Sequence, residues 1–414
     1  MTASVIEHPY GTAALNRTAM LKDIDLHLRH LTIEIADRSV GSAGNQAATD
    51  YVGDMFWNLG WTVSAQEFEV VDWEDGDASV TVDGQSRFKC SASPYAEGCD
   101  VKGSLVVASS LEEIRRASTQ GALLLLTGKI TQTPLMPKNF PFYSDDAQQA
   151  IIAALEASGA LAILCATAHP PMIEDGDFGL PTVCLTEDVG HALAAHDGRE
   201  ARLVSKCRRL PSMAKNIIAR INGTASSRIV ITAHIDAKKD VPGALDNGTG
   251  VTMLLLLARA LAAYDGPFAI ELVALNGEDH YAVPGQLAYL SANPDIGATC
   301  ALNINIDGIG YHEGQTAYSF FELPPDFQET AAALLTLQPN ACPGMEWFQG
   351  DHAMFVQAGC PAIAVTSNWL LENIATQKIT HSKADHMDLV DPERLFESAL
   401  ALKHFIEAIG QTRL

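Results

Sequence analysis

The hydrophobic and polar positions of this chain change rhythm several times, and each change marks a new kind of element. Over residues 21–34 apolar and charged side chains alternate at helical spacing, and a second helix is expected over about 47–59, stopped by Gly60. Residues 61–82 alternate by twos, as half-buried strands do, with the acidic turn Glu74-Asp75-Gly76 between them. From about Phe88 to Pro211, short apolar strands at 104–108, 122–127, 160–166 and 182–185 are interleaved with helical stretches at 145–158 and 188–195. A proline-rich loop at 131–142 interrupts them. Beyond Lys215 the apolar runs 229–233, 268–275, 302–306 and 361–365 read as buried strands, and 251–262 as a buried helix. The last helix opens with Asp391 as cap and Pro392 in its first turn, then carries Leu395, Phe396, Ala399, Leu402, Phe405 and Ile409 along one stripe.

Strands alternating with helices in this way imply an α/β fold: a mostly parallel twisted sheet with helices on both faces. At 414 residues the chain exceeds one simple core. The middle stretch holds no cluster of His, Asp and Glu, so it reads as a separate small β-rich domain inserted into the larger one. The expected division is 1–87 and 212–414 for the larger domain and 88–211 for the insert. His169, His191 and His196 stand alone in the insert, and an isolated histidine is more often a surface or core residue than a ligand.

Chemistry gathers where the later strands end. In open α/β sheets ligands bind at the carboxyl ends of the strands. His234 and Asp236 follow the first of them, in IVITAHIDAKKDVPGALDNGTG (229–250), and Asp246 in the same stretch lies between a strand end and a helix start, well placed to bridge two cations. Glu278 and Asp279 follow the second strand, Asp307 the third, and His381 lies in the loop after the fourth, in HSKADHMD (381–388). Taken singly, each group can be turn chemistry. Four successive strand ends supplying imidazoles and carboxylates to one rim instead suit two divalent metals of the zinc kind.

Charge narrows the partners. With 27 Lys and Arg against 50 Asp and Glu, the net charge of −23 argues against nucleic acid or an anionic membrane surface, both of which need clustered cations. No apolar run approaches a membrane span, and the first residues lack the basic-then-apolar pattern of a signal peptide, so a cytoplasmic location is expected. The eight cysteines are scattered without a CxxC pair, as reduced thiols rather than a disulfide framework or a thiolate zinc site.

His-x-Asp, Gly-Ala-x-Asp-Asn, Gly-Glu-Asp, an Asp after a strand and a late His-x-x-x-Asp, in that order, resemble the M28 family of co-catalytic zinc peptidases. Residues 38–60 are similar to that family's N-terminal helix, and the insert is similar to a protease-associated domain whose return strand is 215–219. The resemblance implies that His234 and Asp307 hold one zinc, Asp279 and His381 the other, that Asp246 bridges them, that Glu278 is the general base, and that Asp236 orients His234. A carboxylate beside a ligating imidazole fixes its tautomer, as the His-x-Asp spacing also suggests.

The expected activity is removal of N-terminal residues from peptides. Carboxypeptidases and other small-amide hydrolases share the scaffold, and an inactive relative that binds metal or a partner is a further reading, against which the retention of Glu278 with all five ligand types argues. Self-association is left open. Three departures from the family pattern stand out: Asp279 where Glu is commoner, Thr380 where several members carry Tyr, and 280–286 in place of Gly-Leu-x-Gly-Ser. His352 falls in a recurring family segment but is not expected to ligate; His280, His312 and His386 are expected behind the ligands or at the surface.

Overall fold

The computed structural model describes residues 16–411 apart from 36 and 169; the side chains of residues 333 and 337 are left aside. The opening residues read above for a signal, up to residue 15, and His169 therefore lie outside the described residues. The described residues form two compact units, one of the residues up to 69 together with those from 213 onward, the other of residues 70–212. The expected boundary near 88 is corrected by this division. Val80 and Val82 sit in the same apolar cluster as Leu105, Leu123 and Leu164, so their strand belongs to the second unit.

In the first unit, helix Arg17–Arg29 starts at Asn16, whose side chain accepts from the Thr18 amide, and runs into a short wider turn at His30–Glu34. Helix Ala43–Asn58 is capped by Ser42, which accepts from the Asn45 amide, and ends near Gly60. Strand β1 (Thr62–Glu74) follows.

The second unit is a closed barrel of seven strands: β2 (Asp77–Val82), β3 (Ser86–Ala92), β4 (Cys99–Ala108), β5 (Leu123–Leu126), β6 (Ala162–Ala166), β7 (Thr182–Leu185) and β8 (Glu200–Ser205), joined in the order β2-β3-β7-β6-β5-β4-β8 and closed by β8 on β2. Strands β5, β6 and β7 are buried along their whole length, which explains their uninterrupted apolar runs. Closure leaves no free sheet edge in this unit.

The chain then runs through β9 (Arg208–Ile221), β10 (Arg228–His234), β11 (Ala269–Leu275), β12 (Cys300–Ile306), β13 (Thr316–Phe321), β14 (Ala341–Pro343) and β15 (Ala362–Ser367). With β1 these form an eight-stranded sheet in the order β1-β9-β11-β10-β12-β15-β13-β14. The centre, β11-β10-β12-β15, is parallel throughout. On either side β9 pairs antiparallel to β11 and β13 antiparallel to β15, so the sheet is mixed around a parallel centre, not parallel across its width.

One face of this sheet carries Ile229, Ile231, Ala233, Ile270, Leu272, Leu302, Ile304, Ile363 and Val365 into a core shared with helices Arg17–Arg29, Ala43–Asn58, Thr249–Ala260, Pro325–Leu337 and Pro392–Gln411. The alternate residues point the other way and include polar ones: Thr232, Glu271, Asn303 and Asn305, all buried. Glu271 accepts from Arg220 at 2.6 Å and from the Tyr289 hydroxyl at 2.6 Å, with Arg228 at 3.4 Å. Tyr289 belongs to helix Pro284–Ala292, so helices cover both faces.

A buried charge of this kind is tolerable only while its partners are present. Replacing it in Glu271→Ala strands two guanidiniums, and urea unfolding should show a loss of about 3 kcal/mol; a loss below about 1 kcal/mol contradicts the network's role.

Candidate metal centre

Because the central strands run in parallel, their carboxyl ends share one rim, and the sequence places a polar group at each. His234 is the last residue of β10. Asp307 directly follows β12, its amide bonded to the Val365 carbonyl at 2.9 Å. Glu278 and Asp279 lie in the turn after β11, and His381 in the loop beyond β15. Asp246 sits just before helix Thr249–Ala260, joined to Asn247 by a cis peptide.

The five residues expected as ligands converge. Asp246 Oδ1 is 3.1 Å from His234 Nε2, which is 3.6 Å from Asp307 Oδ1. The other oxygen, Asp246 Oδ2, is 3.1 Å from His381 Nε2, itself 3.0 Å from Asp279 Oδ1. One carboxylate thus faces two clusters, one with each of its oxygens. His234, Asp246 and Asp279 each offer an atom within 4.8 Å of the others. His234 Nε2 and Asp279 Oδ2 are buried without a well-formed hydrogen bond, which the protein alone leaves unsatisfied and a cation would satisfy. Nitrogen and oxygen donors in this mixture fit zinc-like divalent ions.

Electrostatics point the same way. Burial works against a charge on His234, yet Asp236, Asp246 and Asp307 carry its pKa well above 6.5. The Asp279 carboxylate, followed by Asp246, does the same for His381, whose side chain is half exposed. Burial also opposes the charge on Asp246, but the two imidazoles outweigh it and hold this carboxyl below its usual range. Glu278 differs: burial, reinforced by Asp279, Asp307 and Asp351 and opposed by His234, raises its pKa well above the ordinary value. A carboxyl with its pKa raised in this way holds a proton more readily than an exposed one, as a general base must. His381 adopts φ +59°, a left-handed backbone that non-glycine residues seldom take.

The residues behind the ligands explain the placement. Asp236 Oδ1 accepts from the Gly277 amide at 2.7 Å and the Glu278 amide at 3.2 Å, and Oδ2 from the Asp279 amide at 2.9 Å. His234 Nδ1 donates to the Asp236 backbone carbonyl at 3.2 Å, with the carboxylate 3.6 Å from the same nitrogen, so this residue holds an imidazole and the general-base turn together. Gly277 has φ +141°, a conformation open to glycine. Asn276 and Asn45 exchange paired amide hydrogen bonds at 2.8 and 2.9 Å, anchoring that turn from the helix Ala43–Asn58 side.

Asp385 accepts from the amides of Leu245 at 2.7 Å and Asp246 at 3.0 Å. Asn247 donates to the Ile306 carbonyl at 2.8 Å, tying the Asp246 loop to the strand end that bears Asp307. At Gly250 an added Cβ would lie 2.3 Å from Asn247 Oδ1 and 2.5 Å from that same carbonyl, so only glycine admits the approach. Buried Arg38 donates to the carbonyls of Leu31, Ile235, Pro242 and Gly243. Asp385 lay within the quoted His-x-x-x-Asp motif without a role assigned. Arg38 and Asn45 left no signal, because their partners are backbone groups or residues some 200 positions away.

The other histidines stand apart from the ligands. His352 is buried and donates from Nε2 to the Trp347 carbonyl at 2.7 Å, and burial lowers its pKa to about 4. His280 accepts from the Ala282 amide at 3.2 Å, His312 donates to the Leu389 carbonyl at 3.0 Å, and His386 is exposed. Of the insert's described histidines, His196 packs edge-on to Phe88. Thr380 accepts from Gln377 at 2.5 Å.

Residues 216–406 match the model of peptidase family M28. That stretch is similar to M28 peptidases. The mycobacterial "probable lipoprotein aminopeptidase LpqL" (Mycobacterium tuberculosis) is 28% identical over 284 residues, covering 65% of this chain and 54% of that protein. "Aminopeptidase YwaD" of Bacillus subtilis is 21% identical, with 58% and 55% covered. This chain thus spans about half the length of the curated relatives it matches. Among solved structures, an aminopeptidase from Aneurinibacillus sp. strain AM-1 superposes with TM-score 0.72 at 18% identity, covering 93% of each chain. A zinc aminopeptidase from Bacillus subtilis gives TM-score 0.72 at 19% identity, covering 93% and 94%. These two establish a shared α/β fold. The matched stretch contains all seven site residues named from the sequence.

Two outcomes follow from the geometry of this centre. Asp236→Asn removes an acceptor from the Gly277–Asp279 turn and weakens the hold on His234, so affinity for zinc should fall about 10–100-fold in chelator competition; unchanged affinity refutes the positioning role. Metal must also displace the protons that raised His234 and His381 retain, so affinity rises with pH. In calorimetry at pH 7, buffers of different ionisation enthalpy should reveal proton release on zinc uptake, and its absence would contradict the raised imidazoles. In the metal-free protein the sign reverses: stability from these charged imidazoles is complete below their ordinary pKa of 6.5 and is lost as pH rises through the folded values.

Proposed function

We propose that this protein is an exopeptidase removing N-terminal residues from peptides, with His234 and Asp307 holding one divalent ion, Asp279 and His381 a second, and Asp246 bridging. The observation that carries this reading is the Asp246 carboxylate, 3.1 Å from His234 on one oxygen and 3.1 Å from His381 on the other. When bound, such an ion pair supplies Lewis acidity and makes water a nucleophile near neutral pH. Glu278 takes the proton from the attacking water and returns it to the leaving amine, a role suited to its raised pKa. Asp236 fixes the backbone that carries Glu278. The aminopeptidase names of the relatives and fold neighbours favour an N-terminal over a C-terminal cut, and zinc over other ions.

The seven-strand barrel is read as a protease-associated-like insert, supported by its position between the two parts of the larger unit. All eight cysteines are free thiols, which supports a reducing, cytoplasmic setting.

The test compares free and N-blocked aminoacyl substrates before and after chelation. Free substrates should be hydrolysed and blocked ones poorly, with activity lost on chelation and restored by zinc. Preferential cleavage of blocked substrates would favour the carboxypeptidase or general amidase reading. Glu278→Gln should keep its metal while kcat falls about 10²–10⁴-fold; full turnover with metal bound would remove Glu278 from the reaction.

A further inference from the structure

Lys238 lies two residues past Asp236, and the chemistry above gives it no task. Its ammonium donates to the Asp279 backbone carbonyl at 2.7 Å and stands 3.8 Å from Asp279 Oδ1. That same oxygen is 3.0 Å from His381 Nε2. Lys238 is 24% exposed and the Asp279 side chain 3%, so the pair is only partly open to water. The bond to the carbonyl pins the ammonium in place, and the aspartate arm, one methylene shorter than glutamate, cannot carry its carboxylate away.

The other half of the centre is different. Among the described residues, no lysine or arginine forms an ion pair with Asp246 or Asp307; their close partners are His234 and His381. A divalent ion held by Asp279 and His381 therefore lies beside a positive charge paired with its own carboxylate in a half-buried site, whereas Asp307 in the other half faces His234.

Resting on the metal-centre reading above, we propose that Lys238 makes the two metal sites unequal. Its ammonium lowers the affinity of the Asp279–His381 site, so that metal enters in two steps and the second ion is the exchangeable one.

The experiment uses the full chain and zinc titrated against a chromogenic chelator, with bound metal counted by elemental analysis after dialysis. The wild type should bind one ion tightly and a second at least tenfold more weakly. Lys238→Met, which removes the charge, and Lys238→Gln, which removes the charge but keeps a donor for the Asp279 carbonyl, should each tighten the second step at least tenfold and leave the first unchanged. Lys238→Arg should keep the wild-type gap. Two ions bound with equal affinity in the wild type, or a second step that Met and Gln leave unchanged or weaken, overturns this inference alone. A wild-type protein that takes up no zinc overturns the metal-centre reading and this inference with it.

Discussion

Negative charge concentrated at one rim is the constraint that the rest of the larger unit serves. Asp236, Asp246, Glu278, Asp279, Asp307, Asp351 and Asp385 are all buried or half-buried there. Carboxylates brought together out of water repel one another and lose hydration, and such a group persists only if something compensates for it. Asp236 and Asp385 are compensated by backbone amides, Asp351 in part by Gln286 at 2.8 Å. Among the described residues the close ion-pair partners of the ligand carboxylates are two imidazoles and one lysine, with buried Arg38 acting on Asp246 and Asp279 from further off, and Asp279 keeps an oxygen with no hydrogen bond. That deficit is the physical meaning of a metal site: the fold holds an arrangement that cations complete.

Holding it requires a scaffold that does not yield. The apolar face of the sheet packs against five helices, which fixes the strand directions, and the loops are then tied to one another by side chains that bond backbone. Asp236 ties the end of β10 to the turn after β11, Asn247 ties the Asp246 loop to the end of β12, and Asp385 ties the His381 loop back to Asp246. Each tie joins two adjacent loops, and together they set the separation of the ligands more closely than any one loop could.

The barrel unit follows a different logic. Three of its strands, β5, β6 and β7, are buried on both sides of a closed sheet, and among its described residues no cluster of histidine and carboxylate forms. In the larger unit the shortened Asp279 and the neighbouring Lys238 lie in the same half of the centre.

Periodicity alone was enough for the strands whose apolar runs are longest, since β10, β11, β12, β7 and the final helix lie within a residue or two of where the pattern put them. The residues that converge at the rim were legible too, because strand ends in a parallel centre share a rim and the sequence supplies a polar group at each. Tertiary structure decided what depends on distant partners. The mixed pairing at the sheet's edges was not legible, because antiparallel β9 and β13 carry no pattern that states their direction. The insert's start at Val70 was hidden because β2 and β3 alternate in polarity like strands of either unit, and only barrel closure assigns them. Arg38, Asn45 and the charge of Lys238 beside Asp279 were invisible for the same reason: a side chain's contact across 40 to 200 residues is fixed by packing, which leaves no trace in local spacing.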